Sequence, residues 1–242
     1  MEAIATEYRL FFADGQYREF TVRIDPLTLD LIMPLPQPLP DWVRLDFYQC
    51  TNCGLQPESL PYCPAALAIS GIVDKFADVQ SHDRVKMTVI TPDRVMQQDT
   101  TVQRAVGSMM GLMLATCGCP HTAFFKPMAR FHLPLANEEE TTFRAASMYL
   151  LAQYFRDKKG NAAHYDFEGL ASLYGDLQMI NVALANRIRR ASETDSTVNA
   201  IVLLDMYAKA VPFHLTDSLK KIENYFISYW QPSQVSTRSA SQ

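Results

Sequence analysis

The chain has 242 residues, of which 48% are hydrophobic and 20% charged. That length fits one large domain or two small ones, and the apolar share excludes wholesale disorder. The formal charge of −4 is spread evenly: residues 1–133 carry 11 Lys/Arg against 14 Asp/Glu and the remainder 11 against 12, so the linear sequence holds no basic stripe able to displace counterions from a nucleic-acid backbone.

Residues 1–33 alternate like strands. Tyr8, Leu10 and Phe12 fall on one face; after Ala13-Asp14-Gly15-Gln16, the residues Phe20, Val22 and Ile24 fall on another. Asp-Gly between alternating runs predicts a hairpin, because Gly takes positive φ without steric cost. Asp25-Pro26 turns the chain into a third apolar run, Leu27 to Met33. Prolines at 34, 36, 38 and 40 then fix φ and remove N–H donors, which predicts an extended connector with its leucines tucked onto the core. A ligand for a proline-recognition domain is the competing reading of that stretch.

A cysteine-rich loop spans 49–63. Residues 64–76 read as a helix, with Cys63 at the cap and Pro64 at the first helical position. Residues 84–91 and 94–101 predict a second hairpin around Thr91-Pro92-Asp93. The helix expected over 102–116 carries Met109, Met110 and Met113, which read as core filling. From residue 136 the period becomes 3.6. Asn137 ahead of Glu138, Glu139 and Glu140 predicts a capping box, and the helix should run to Asp157 and stop at Lys158-Lys159-Gly160. Further helices are expected over 166–191, 196–210 and 216–229, and a disordered polar tail over 231–242. The expected fold class is therefore α+β. A mixed β-sheet region with short helices and the cysteine cluster occupies 1–133, and a helical bundle over 134–230 packs against it, with a metal knot at the junction.

No apolar stretch reaches the roughly 18 residues of a membrane span, and Met1 to Glu7 lack the basic and apolar blocks of a signal peptide. A cytoplasmic location is expected, where five cysteines read as ligands or core residues before they read as disulfides. In Cys50-Thr51-Asn52-Cys53-Gly54 two thiolates can converge on one ion if the loop turns tightly, and Gly54 suits a positive-φ position in that turn. Cys63, at a helix N-terminus, sits where the helix dipole favours the thiolate. Cys119 offers a fourth sulfur, with Cys117 and His121 as alternates. Zinc is the expected metal. An iron–sulfur cluster on the same cysteines is the alternative, since Cys63-Pro64 and Cys119-Pro120 resemble the Cys-Pro pairs of some ferredoxins, although the dense cysteine run of those proteins is absent.

Three blocks, Tyr62-Cys63-Pro64-Ala65-Ala66-Leu67, Cys119-Pro120-His121-Thr122-Ala123-Phe124-Phe125 and Met128-Ala129-Arg130-Phe131-His132-Leu133-Pro134, resemble a family of uncharacterised bacterial proteins. The resemblance covers most of the chain except the tail. It implies a bacterial source and no assigned activity, so no catalytic residue can be carried over from it.

The 119–132 segment has three readings. Lys126, Arg130 and His132 form a candidate anion site, because Lys and Arg beside backbone N–H groups suit a carboxylate or phosphate. Cys119 and His132 could act as nucleophile and base of a hydrolase. Phe124, Phe125 and Phe131 instead suit a packed crossing loop. Phosphate-binding Gly-rich loops, G-x-S-x-G and H-E-x-x-H are all absent from the sequence. The leading expectation is a non-enzymatic, zinc-stabilised interaction or regulatory protein with an unidentified protein partner, a homodimer included. An iron–sulfur sensor and an enzyme acting on a small anion at 119–132 are the alternatives.

Overall fold

The computed structural model describes residues 2–34, 38–191, 198–199, 201–202, 204–205, 217 and 219–230. Five strands form one sheet in the order β3-β2-β1-β4-β5, with β1 at Ile4–Phe12, β2 at Tyr17–Ile24, β3 at Leu31–Ile32, β4 at Arg84–Ile90 and β5 at Val95–Thr101. All four pairings are antiparallel, so the expected mixed sheet is corrected to an antiparallel one. The local connections explain this. Short turns join β1 to β2, β2 to β3 and β4 to β5, and a tight turn can only reverse a strand. In the first turn Gly15 adopts φ +85, and the Phe12 N–H donates to the Gln16 carbonyl at 2.9 Å.

The alternation read from the sequence sets the sheet's inner face. Tyr8, Leu10, Val22, Ile24, Val85, Met87 and Val89 are buried. The other face carries Glu7, Arg9, Tyr17 and Glu19 in a polar ladder in which Arg9 donates to Glu7 and Tyr17 to Glu19. One buried and one solvated face is what an antiparallel sheet permits.

Helices α1 (Pro64–Lys75) and α2 (Val102–Thr116) pack against each other, and α2 also meets β2, β4 and β5. The three α2 methionines are buried, as core filling requires. Because α1 ends at Lys75, Asp78 lies outside the helix, where Arg18 donates to both its carboxylate oxygens at 2.7 Å.

A short helix, α3 (Lys126–Arg130), leads to α4 (Glu138–Lys158) and α5 (Glu168–Ala191). The capping box of α4 is formed: Asn137 Oδ1 accepts from the Glu140 N–H at 2.9 Å, and Glu140 Oε2 from the Asn137 N–H at 2.8 Å. Its other end closes as expected on Gly160 at φ +74, with the Gly160 N–H donating to the Asp157 carbonyl at 2.9 Å. Of the helix expected over 196–210 only 198–199, 201–202 and 204–205 are described, all helical. The one expected over 216–229 is described at 217 and 219–230 and is helical there, with a 3-10 turn at Asn224–Phe226. Leu35 to Gln37 and the tail 231–242 lie outside the described residues. The described core is one cluster running from Tyr8 to Ile201. No helix of the described residues is long and apolar enough to cross a membrane.

Candidate functional site

The cysteine loop is held at its base by a short antiparallel pairing. The Cys63 N–H donates to the Val43 carbonyl and the Leu45 N–H to the Pro61 carbonyl, each at 2.8 Å, with a bridge between Arg44 and Tyr62. Residues 46–60 therefore leave and return to the same place. Within the loop the Cys53 N–H donates to the Cys50 carbonyl at 3.0 Å, the tight turn a C-x-x-C pair needs. Gly54 is not among the glycines at positive φ. That conformation belongs to Gly118 at φ +86, between Cys117 and Cys119. The expectation for Gly54 is thus corrected, and the residue that requires glycine's freedom is the one that turns Cys119 back after α2. Cys63 caps α1 with Pro64 at its first position.

These segments bring four of the five thiols into mutual electrostatic range. Burial pushes the Cys50 thiol up to about 12, and Cys63, Cys119 and Cys53 each add to the rise. Burial likewise raises Cys119, with Cys63 and Cys53 adding to it. All five cysteines are free. Among the described residues no group of three or more His, Cys, Asp or Glu is arranged to hold a metal ion, so the metal knot expected at the junction is not shown.

The alternates have other roles. Cys117 donates its thiol to the Leu114 carbonyl at 3.2 Å, and burial holds it up to about 12. His121 is engaged at both ring nitrogens: Nε2 lies 2.8 Å from the Asn52 carbonyl oxygen and Nδ1 3.3 Å from Asp176 Oδ2. Asn52 Nδ2 also donates to Asp176 Oδ1 at 3.1 Å. His121 thus fastens the cysteine loop to α5.

Lys126, Arg130 and His132 have three different partners. Lys126 donates to Asp30 Oδ1 at 2.6 Å and to the Thr28 carbonyl at 2.9 Å. The Arg130 guanidinium lies 5.4 Å from the centre of the Phe131 ring. His132 Nε2 is 2.6 Å from the Tyr8 hydroxyl, and burial, assisted by Arg144, drives its pKa down to about 3. A neutral imidazole bonded to a buried tyrosine attracts no anion.

Sequence reasoning missed Arg187. It is 1% exposed, and its guanidinium donates to the carbonyls of Trp42 (2.8 Å), Arg44 (2.6 Å) and Leu45 (3.0 Å). Nε has no partner, and among the described residues no carboxylate forms an ion pair with Arg187. Burial lowers its pKa, and Cys63, Cys50, Cys53 and Asp46 oppose that shift. A buried cation with no carboxylate bonded to it is costly. The signal was present in the chain: Leu170, Tyr174, Leu177, Leu184 and Ile188 trace the inward stripe of α5, and Arg187 interrupts it.

The DUF6901 family, described as a domain of unknown function, matches residues 6–227. The chain belongs to that family. The match agrees with the resemblance to an uncharacterised family and gives DUF6901 no activity to pass on. Comparison with curated proteins finds no match, and comparison with solved structures finds none either.

Proposed function

We propose that this DUF6901 chain is a non-enzymatic interaction or regulatory protein whose cysteine junction takes up zinc through Cys50, Cys53, Cys63 and Cys119. The observation that carries the reading is Arg187: a buried guanidinium bonded only to carbonyls, whose charge is felt by Cys50, Cys53 and Cys63 from two segments of the chain. Zinc would hold those thiols as thiolates, and the net negative charge of a four-thiolate site would add to the countercharge that Asp46, itself bonded to Arg44, offers Arg187. Ligand binding there would tie loop, α1 and the α2 end together, so binding free energy would appear as folding free energy. The exposed apolar side chains Phe143, Leu151 and Phe155 on α4 support the interaction half of the reading. The first partner to test is a second copy of the chain, by light scattering across concentration.

Elemental analysis and a visible spectrum on protein purified without air test the metal. One zinc per chain without colour is the expected result, and replacing any of the four cysteines by Ser should release it and lower the melting temperature. Iron with sulfide would replace zinc by the cluster alternative. No metal in either preparation, with melting unchanged in all four variants, overturns the reading.

A further inference from the structure

A cavity of about 200 Å³ lies between α2, the α3 turn, α4 and α5. Its walls are mainly apolar, with Leu112, Phe125, Met128 and Leu177 among them. Polar side chains also reach it, Arg104, Ser108, His132 and Thr141 among them, and two others combine burial with unmet bonding capacity. Asn181 is 1% exposed, and neither its amide nitrogen nor its amide oxygen has a partner. Arg144 donates through Nη2 to the carbonyls of Met128 and Phe131, each at 2.8 Å. It forms no ion pair with a carboxylate among the described residues, and the nearest candidate, Glu140, is committed to the α4 capping box.

An orphaned amide in a well-packed interior is destabilising, because it has lost water and gained nothing. A cation on an apolar wall is costly for the same reason. Both costs vanish if the cavity is filled by a molecule that brings an anionic oxygen to Arg144, a hydrogen-bonding oxygen to Asn181 and apolar surface to the rest. Its size sets the class. A dry cavity of about 150 Å³ accepts one benzene ring, so this one accommodates a ring or short chain with a small head group, about ten non-hydrogen atoms in all. The mainly apolar walls favour such a molecule over a phosphate or sugar, whose several polar faces need several partners.

We propose that this cavity is a binding site for a small apolar monocarboxylic acid, with Arg144 pairing its carboxylate and Asn181 hydrogen-bonding a ligand oxygen. Gly111 of α2 also lines the cavity, and among the described residues a Cβ added there would meet only Leu204, at 3.8 Å. The site needs no cysteine and stands independently of the zinc reading.

Isothermal titration calorimetry on the full chain tests the proposal with benzoate, phenylacetate and hexanoate, each set against its neutral counterpart, benzyl alcohol, phenylethanol or hexanol. At least one acid should bind, with the alcohol weaker by about tenfold or more. Arg144→Met should erase the difference between acid and alcohol. Asn181→Leu should weaken the acid by about tenfold without lowering the melting temperature of the ligand-free protein. Gly111→Leu fills the space without removing a hydrogen bond and should abolish binding while the protein stays folded. No heat from any acid at millimolar concentration overturns the proposal, as does equal binding of acid and alcohol by the native chain. Undiminished binding by the Gly111→Leu protein would place the ligand elsewhere and overturn it too.

Discussion

Under the sheet, Leu10, Val85, Met87 and Val89 share one core cluster with the buried methionines of α2, and Phe76 caps the end of α1; these groups are apolar and fully buried. Around α5 the same core contains a guanidinium at Arg187 and an amide at Asn181, each with buried polar atoms lacking partners. The first region is mainly apolar, its buried unpartnered atoms being the small hydroxyls of Thr100, Thr101 and Ser108. The second carries polar groups whose enclosure costs free energy, and such departures from local consistency concentrate where a protein handles ligands. The difference shows where function is to be sought: along α5, which meets both the cysteine loop and the cavity.

If that contrast is right, the two regions must respond differently to substitution. Phe76→Ala in the apolar region leaves a void among close-packed neighbours and should cost about 3–5 kcal/mol by urea unfolding, with or without zinc. Arg187→Met should behave otherwise. It removes three hydrogen bonds to carbonyls and also a buried charge, so about 1–3 kcal/mol should be lost in the metal-free protein. The loss should be larger in protein loaded with zinc, where the countercharge of the thiolates goes too. An Arg187→Met protein whose stability is insensitive to zinc would break the link between α5 and the cysteines.

Much of this arrangement was legible in the chain. The two hairpins, the α4 capping box and the buried α2 methionines follow from local rules of period, turn chemistry and capping, and the structure forms each of them. Strand direction was missed because the β1–β4 pairing joins residues about 80 apart, beyond any local signal. At the junction the cysteines could be grouped by residue type, whereas His121 and Lys126 were assigned by chemistry alone. Their partners, Asn52 and Asp176 for one and Asp30 for the other, come from distant segments that only folding brings near. Arg187 and Asn181 were visible as polar interruptions of an apolar helical stripe. A rule that asks why such a residue is tolerated would have singled out both.

The His132–Tyr8 contact offers a pH test at the boundary between the two regions. With its folded pKa driven to about 3 by burial and by Arg144, against about 6.5 in the unfolded chain, His132 takes up a proton only on unfolding over that interval. Its contribution is intact above pH 6.5 and is lost as pH falls toward 3. The slope is about 1.4 kcal/mol per pH unit from this residue. His132→Gln keeps a hydrogen-bonding group for Tyr8 and does not titrate, so its stability should fall less steeply than the native protein's between those limits. Identical slopes in urea titrations at several pH values would show that His132 is not held neutral.

Two asparagines give the smallest and most direct comparison. Asn137 is exposed at the head of α4 and uses its side-chain oxygen, accepting from the Glu140 N–H in the capping box. Asn181 is buried and uses none of its side chain. If partners rather than location decide what an asparagine contributes, Asn137→Ala should cost about 1 kcal/mol in the melting of the ligand-free protein, while Asn181→Leu should cost nothing or stabilise it. A stability loss at Asn181 equal to that at Asn137 would mean its amide serves the fold, and the contrast between the apolar region and α5 would then be one of composition without functional content.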